Sequence, residues 1–162
     1  LFEKQGEKLT GFEKELMDNF SENSFFEIEF IPIEKENISY YLNSNEIDII
    51  VGGLIIYDEK NCNFLYSKSY LPTKLFKYSG NIPEKYESII LNKSEESKII
   101  DYLRLKHYFR KKSDITAEEF SDSGYRIIFS KNNKALKEEF NRFLKTFIDS
   151  KEYEFIVRRN IG

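Results

Sequence analysis

Apolar residues return along this chain first at helical spacing and then at strand spacing, and the two periods alternate. After a short lead at Leu9–Gly11, Phe12, Leu16, Met17 and Phe20 keep to one face of a helix. In FFEIEFIPI, Phe26, Ile28 and Phe30 point one way while Glu27 and Glu29 point the other, which predicts a half-buried strand over Phe26–Ile31. A short helix carrying Ile38, Tyr41 and Leu42 follows. Ile47–Val51 is an almost unbroken apolar run, suited to a strand covered on both faces, and it is expected to stop at Gly52 and Gly53. Asp101–Lys112 reads as a helix with Leu103, Leu105, Tyr108 and Phe109 available for packing. Tyr125–Ser130 reads as a strand, and Leu136, Phe140, Phe143, Leu144 and Phe147 form the stripe of a closing helix. Alternation of this kind belongs to the α/β class.

Composition narrows the function classes without selecting one. A chain of 162 residues can bury one core, or two small lobes that share one. With 25 basic against 28 acidic side chains the net charge is −3, which argues against a nucleic-acid partner, because phosphates reward a concentrated basic face. The single cysteine, Cys62, excludes an internal disulfide and a thiolate metal cluster. His107 is the one histidine and has no second histidine or cysteine near it in sequence, so no metal is expected. No nucleophile with a partner base and no phosphate-binding glycine loop is recognisable, so neither a cofactor nor catalysis is expected. No apolar run is long enough to cross a membrane. The opening LFEKQGEK is not a signal peptide, which leaves export open because a signal is lost on maturation.

The order of the segments carries more information than any one of them. LTGFEKELMDNF, FFEIEFIPI, NSNEIDIIVGG and YDEKNCNFLYSKSYL follow one another, and later come IIDYLRLKHYF, GYRIIFSKNNKALKEEFNRFL and SKEYEFIVRRNIG. This succession resembles the bacterial extracellular solute-binding proteins of family 3, the amino-acid-binding type of periplasmic binding protein. The resemblance implies a two-lobed α/β fold of the type II periplasmic-binding-protein kind. Residues 1–78 and 124–162 would form the first lobe and residues 79–123 the second, with a hinged cleft between them. Two departures stand out. The family's first strand, which precedes the Phe2-Glu3 element, has no counterpart in this sequence. The stretch from Gly80 to Asp101 is too short for a full second lobe, so the lobe is either reduced or lacks residues of a longer chain, and the second is the expectation.

The resemblance also implies a ligand-binding set: Phe2, Gly53, Ile55, Lys60 and Asp101. Phe2 matches an aromatic on which solutes stack, although it could equally pack the first lobe. Lys60 stands where the family has an arginine that forks onto an α-carboxylate; a solvated turn lysine is the competing reading, since lysine has no planar fork. Ile55 and Tyr57 replace threonines that offer hydroxyls to the same carboxylate, so ordinary α-amino acids should bind weakly. Asp101 matches the acid that meets a ligand's ammonium. It could also cap the helix beginning at Tyr102, and the two uses are compatible. The implied function is an extracytoplasmic solute-binding protein, periplasmic or extracellular and anchored by lipid through upstream residues if anchored at all. It would hold a small polar solute such as an amino acid and present it to an ABC permease. The alternative is the extracellular sensory domain of a signalling receptor.

Overall fold

A computed structural model describes residues 7–93, 97–109 and 115–161. Its centre is a six-stranded sheet built from β1 (Ile49–Ile56), β2 (Leu65–Tyr66), β3 (Leu71–Ser79), β4 (Ile89–Leu91), β5 (Ile99–Asp101) and β6 (Thr116–Phe129). The main path runs β4-β1-β6-β3-β5. β2 and β3 lie one after the other along the same edge of β6, which pairs antiparallel with both and with β1 on its other edge. β4 pairs parallel with β1, Ile55 opposite Ile90.

Pairing of Ile49 with Phe129 and Ile50 with Ile128 brings together two apolar segments far apart in sequence. Both need burial on two faces, and the helices supply it. α1 (Glu7–Glu22), α4 (Lys134–Phe147) and α5 (Lys151–Asn160) cover one face. There Phe12, Leu16 and Phe20 of α1 and Phe140 and Leu144 of α4 join Ile55, Ile127 and Phe129 in the main core. The opposite face carries two smaller clusters. Ile38 of α2 (Ile38–Leu42) packs with Ile50, Leu54, Ile89 and Ile128. Leu105 and Tyr108 of α3 (Tyr102–Phe109) pack with Ile82, Tyr86, Ile100 and Ile115. Strand alternation accounts for the division: Ile127 and Phe129 face one layer, Ile128 the other.

Two expectations need correction. Phe26–Ile31 forms no strand. Ile28 and Phe30 do pack against the main core while Glu27 and Glu29 are exposed, so the alternation is real although these residues adopt no strand. Among the described residues the strand beside the edge of β1 that faces this segment is β4, and it reaches only Leu54–Ile56. A groove of about 330 Å³ separates the two, lined by Phe26, Ile28 and Phe30 on one side and Ile47, Ile49 and Val51 on the other. Nor does β1 stop at the glycines: it runs on to Ile56 through an irregularity between Ile50 and Leu54. Gly53, at φ 66°, adopts the left-handed backbone that a side chain resists, and this lets the strand bulge and continue.

Candidate functional site

A bulge takes peptide groups out of the ladder, and in a buried strand each of them needs another partner. Glu13 supplies the acceptor. It sits on the apolar face of α1 between Phe12 and Leu16, and its Oε2 accepts the N–H of Gly53 at 2.8 Å and that of Gly52 at 3.3 Å. The Tyr70 hydroxyl donates to the same oxygen. Arg104 of α3 supplies the donors. Its Nη1 donates to the Gly53 carbonyl and its Nη2 to the Gly52 carbonyl, each at 3.0 Å. The glycine pair is thus held from both sides, by an acid on one helix and a cation on another.

Asp101 completes the arrangement at the end of β5. Arg104 Nη1 also donates to Asp101 Oδ1 at 3.0 Å, and the two side chains form a buried ion pair. The Ser88 hydroxyl donates to Oδ1 and the Tyr125 hydroxyl to Oδ2. The Arg104 amide donates to Oδ2 at 3.2 Å, so Asp101 caps α3. Asp101 is 0% exposed and Arg104 8%.

Burial acts on the two acids with opposite net results. It pushes the Glu13 carboxyl up, and the bonds from Tyr70 and the glycines together with the Arg104 charge only partly offset it. Its second oxygen, Oε1, is buried without a hydrogen-bond partner. Burial also acts to raise Asp101, but the Arg104 charge and the bonds from Ser88, Tyr125 and Arg104 outweigh it and hold this carboxyl below its ordinary range. Asp101 therefore carries the fixed negative charge of the site.

The residues singled out from sequence fall in three places. Gly53 and Asp101 come together, joined through Arg104. Ile55 is fully buried in the main core. Lys60 is exposed on the turn after β1, its amide bonded to Asp58 Oδ1 at 3.1 Å. Phe2 lies outside the described residues. Glu13 and Arg104 give little signal in the sequence, because each stands among the apolar residues of a helical stripe. The spacing Asp101-x-x-Arg104, one turn at a helix start, was the available signal. Among the described residues no cluster of acids, cysteines and histidine could hold a metal ion. Nor is any helix among them long and apolar enough to cross a membrane.

The mixed α/β sheet with helices on both faces has the type II periplasmic-binding-protein fold, as comparison with solved structures shows. The chain belongs to the bacterial extracellular solute-binding proteins, family 3, whose sequence model matches residues 1–162. It is similar to an ABC uptake transporter substrate-binding protein from Streptococcus pneumoniae with bound histidine, at 13% identity, 93% of this chain, 82% of that chain and a TM-score of 0.68. An arginine periplasmic binding protein from Legionella pneumophila shares 14% identity over 93% of this chain and 88% of that one, with a TM-score of 0.68. The GluR0 ligand-binding core from Nostoc punctiforme, in complex with L-glutamate, shares 13% over 93% and 90%, with a TM-score of 0.66. At these identities the likeness establishes the fold. Another similar structure is that of an ancestral amino-acid-binding protein described as a precursor of cyclohexadienyl dehydratase. No curated protein matches the chain.

Proposed function

We propose that this chain is the solute-binding component of an ABC transporter, working outside the cytoplasmic membrane, without catalysis and without a cofactor. The solute would be a small polar molecule carrying a positive group, such as an amino acid or an amine. The observation that carries this reading is the meeting of Asp101 with the Gly52–Gly53 backbone. A buried carboxylate beside outward-turned carbonyls is a receptor for a cation, and a guanidinium already sits in it. Residues 1–78 and 124–162 would form one lobe and residues 79–123 the other. In support, the cluster around Ile82, Tyr86, Ile100, Leu105, Tyr108 and Ile115 draws its buried members from the second span. β3 and β6 pass between the lobes, and flexing there would open the cleft. Lys60, past the end of β1, would offer charge to a solute carboxylate and Phe2 would stack on the solute, while Ile55, buried in the main core, would support the strand from behind. Likeness to the ligand-binding core from Nostoc punctiforme supports a second reading, a sensory domain ahead of a signalling partner.

Thermal-shift screening of amino acids, amines, amides and short peptides tests the binding role, because a ligand that binds only the native state raises the melting point. A stabilising solute whose effect drops in Lys60→Ala supports Lys60 as its carboxylate partner; an unchanged shift removes Lys60 from the site. A screen in which no solute stabilises the protein counts against binding.

A further inference from the structure

Arg104 is placed as a ligand would be placed. Its guanidinium makes three hydrogen bonds of 3.0 Å: to the carbonyls of Gly52 and Gly53 in β1, and to the carboxylate of Asp101, the last residue of β5 and the cap of its own helix. The contacts are those a free guanidinium would make: a planar fork donating to acceptors fixed by the fold. The acceptors are also built independently of the arginine. Ser88, through its hydroxyl and through the Asp101 amide that bonds its Oγ at 2.8 Å, holds Asp101 in place, and Tyr125 holds its other oxygen. Glu13 and Tyr70 hold the glycine bulge from the far side. Burying a charged arginine is costly and returns little stability relative to an apolar packing of the same volume.

We propose that the Gly52–Gly53 bulge and Asp101 form a guanidinium-binding site which Arg104 fills as an intramolecular ligand. Free cationic solutes gain the site only when that side chain leaves it. This rests on the reading of Asp101 and Gly53 as solute contacts and specifies it further: the class of group accepted is a planar guanidinium, and Arg104 sets the threshold for its entry. With Arg104 in place the two Nη atoms take the three acceptors, and a solute ammonium would face the guanidinium charge as well.

The test compares the wild-type protein with Arg104→Ala, using methylguanidinium at millimolar concentration and methylammonium as the control cation. The expected result is no response from the wild type and a rise in melting temperature of about 3–5 °C for Arg104→Ala at ten times the Kd. Methylammonium should do distinctly less, and Asp101→Asn added to Arg104→Ala should abolish the response. If Arg104→Ala does not fold alone, recovery of its folded signal with methylguanidinium but not methylammonium supports the proposal, and no recovery overturns it. A folded Arg104→Ala that ignores methylguanidinium overturns it too, as does a wild type that binds methylguanidinium as tightly as the variant. The wild-type solute screen separates the two ideas. Wild type stabilised by a solute while Arg104→Ala takes no guanidinium sinks this proposal alone. Silence of both proteins toward every compound sinks the solute-binding reading with it.

Discussion

The carboxylate of Glu13 accepts the N–H of Gly53 at 2.8 Å, tying the middle of the first helix to a bulge in the strand beneath it. The same oxygen takes Gly52 N–H and the Tyr70 hydroxyl. Glu13→Ala removes one acceptor and strands three buried donors. A loss of about 2–4 kcal/mol is expected, read as a lower urea midpoint at unchanged slope. Glu13→Gln keeps an acceptor oxygen and should cost less than half as much. Equal losses in the two variants would show that helix packing, not the bonds to the bulge, is what Glu13 provides.

The two buried acids should give stability opposite slopes with pH. Glu13 is raised above its ordinary 4.5, so the folded state holds a proton that the unfolded state releases first. Its contribution is favourable below about 4.5 and declines as pH rises through the folded value. Asp101 is lowered below 3.8, so its contribution is complete above that value and is lost as pH falls through the folded one. Denaturant midpoints measured across acid pH should therefore pass through a maximum. In Glu13→Gln the decline on the higher-pH side should flatten, while a decline that persists unchanged assigns it to another group.

Gly124 stands where β6 passes Ser69 between β2 and β3, with Pro72 as its partner. A Cβ there would lie 2.7 Å from the Ser69 Cβ and 2.0 Å from its Oγ. Gly124→Ala should cost about 1–3 kcal/mol by forcing the strands apart. Ser69→Ala removes the nearer clash but keeps the Cβ and should recover only part of the loss, whereas Ser69→Gly should recover most of it. A double-mutant cycle with no coupling between Gly124→Ala and Ser69→Gly would refute the close approach.

Amide exchange should separate the segments whose apolar patterns looked alike. Ile50, Leu54 and Ile55 lie in a paired, doubly covered strand and should exchange slowly, while Glu27, Ile28 and Glu29 lie outside the strands of the described residues and should exchange fast. Slow exchange at Glu27–Glu29 would mean the segment is bonded in solution. The contrast also shows what a sequence can reveal here. The stripes of α1 and α4 and the runs of β1 and β6 were legible, because burial on a helix face or on two sheet faces leaves a local period. Phe26–Ile31 has the period without the strand, because alternation reports which side is buried and not whether a neighbour pairs. The first half of β6, from Thr116 to Ser123, is largely exposed and carries no apolar pattern, so its long pairing with β3 was invisible. Of the candidate site, Gly53 and Asp101 could be named from motif order. Arg104 and Glu13 could not, since their partners are backbone groups that only the bulge exposes.

Asp101 has two jobs that substitution can pull apart. It caps α3 through the Arg104 amide, and it neutralises the Arg104 guanidinium. Asp101→Asn keeps a side-chain acceptor for the cap but removes the charge, leaving a buried cation short of its counter-ion, and should cost about 3–5 kcal/mol. Asp101→Ala loses the cap as well and should cost roughly 1 kcal/mol more. Arg104→Met in the wild-type background leaves Asp101 charged and unpaired, although Ser88 and Tyr125 still donate to it, so its cost should be the smaller of the two single changes. Combining Asp101→Asn with Arg104→Met removes both charges, and the pair should be more stable than Asp101→Asn alone despite carrying one more change. Chemical denaturation of the four proteins closes the cycle. If the double variant is less stable than Asp101→Asn by the full cost of Arg104→Met, the two charges do not interact, and the ion pair is not what holds α3 against the bulge of β1.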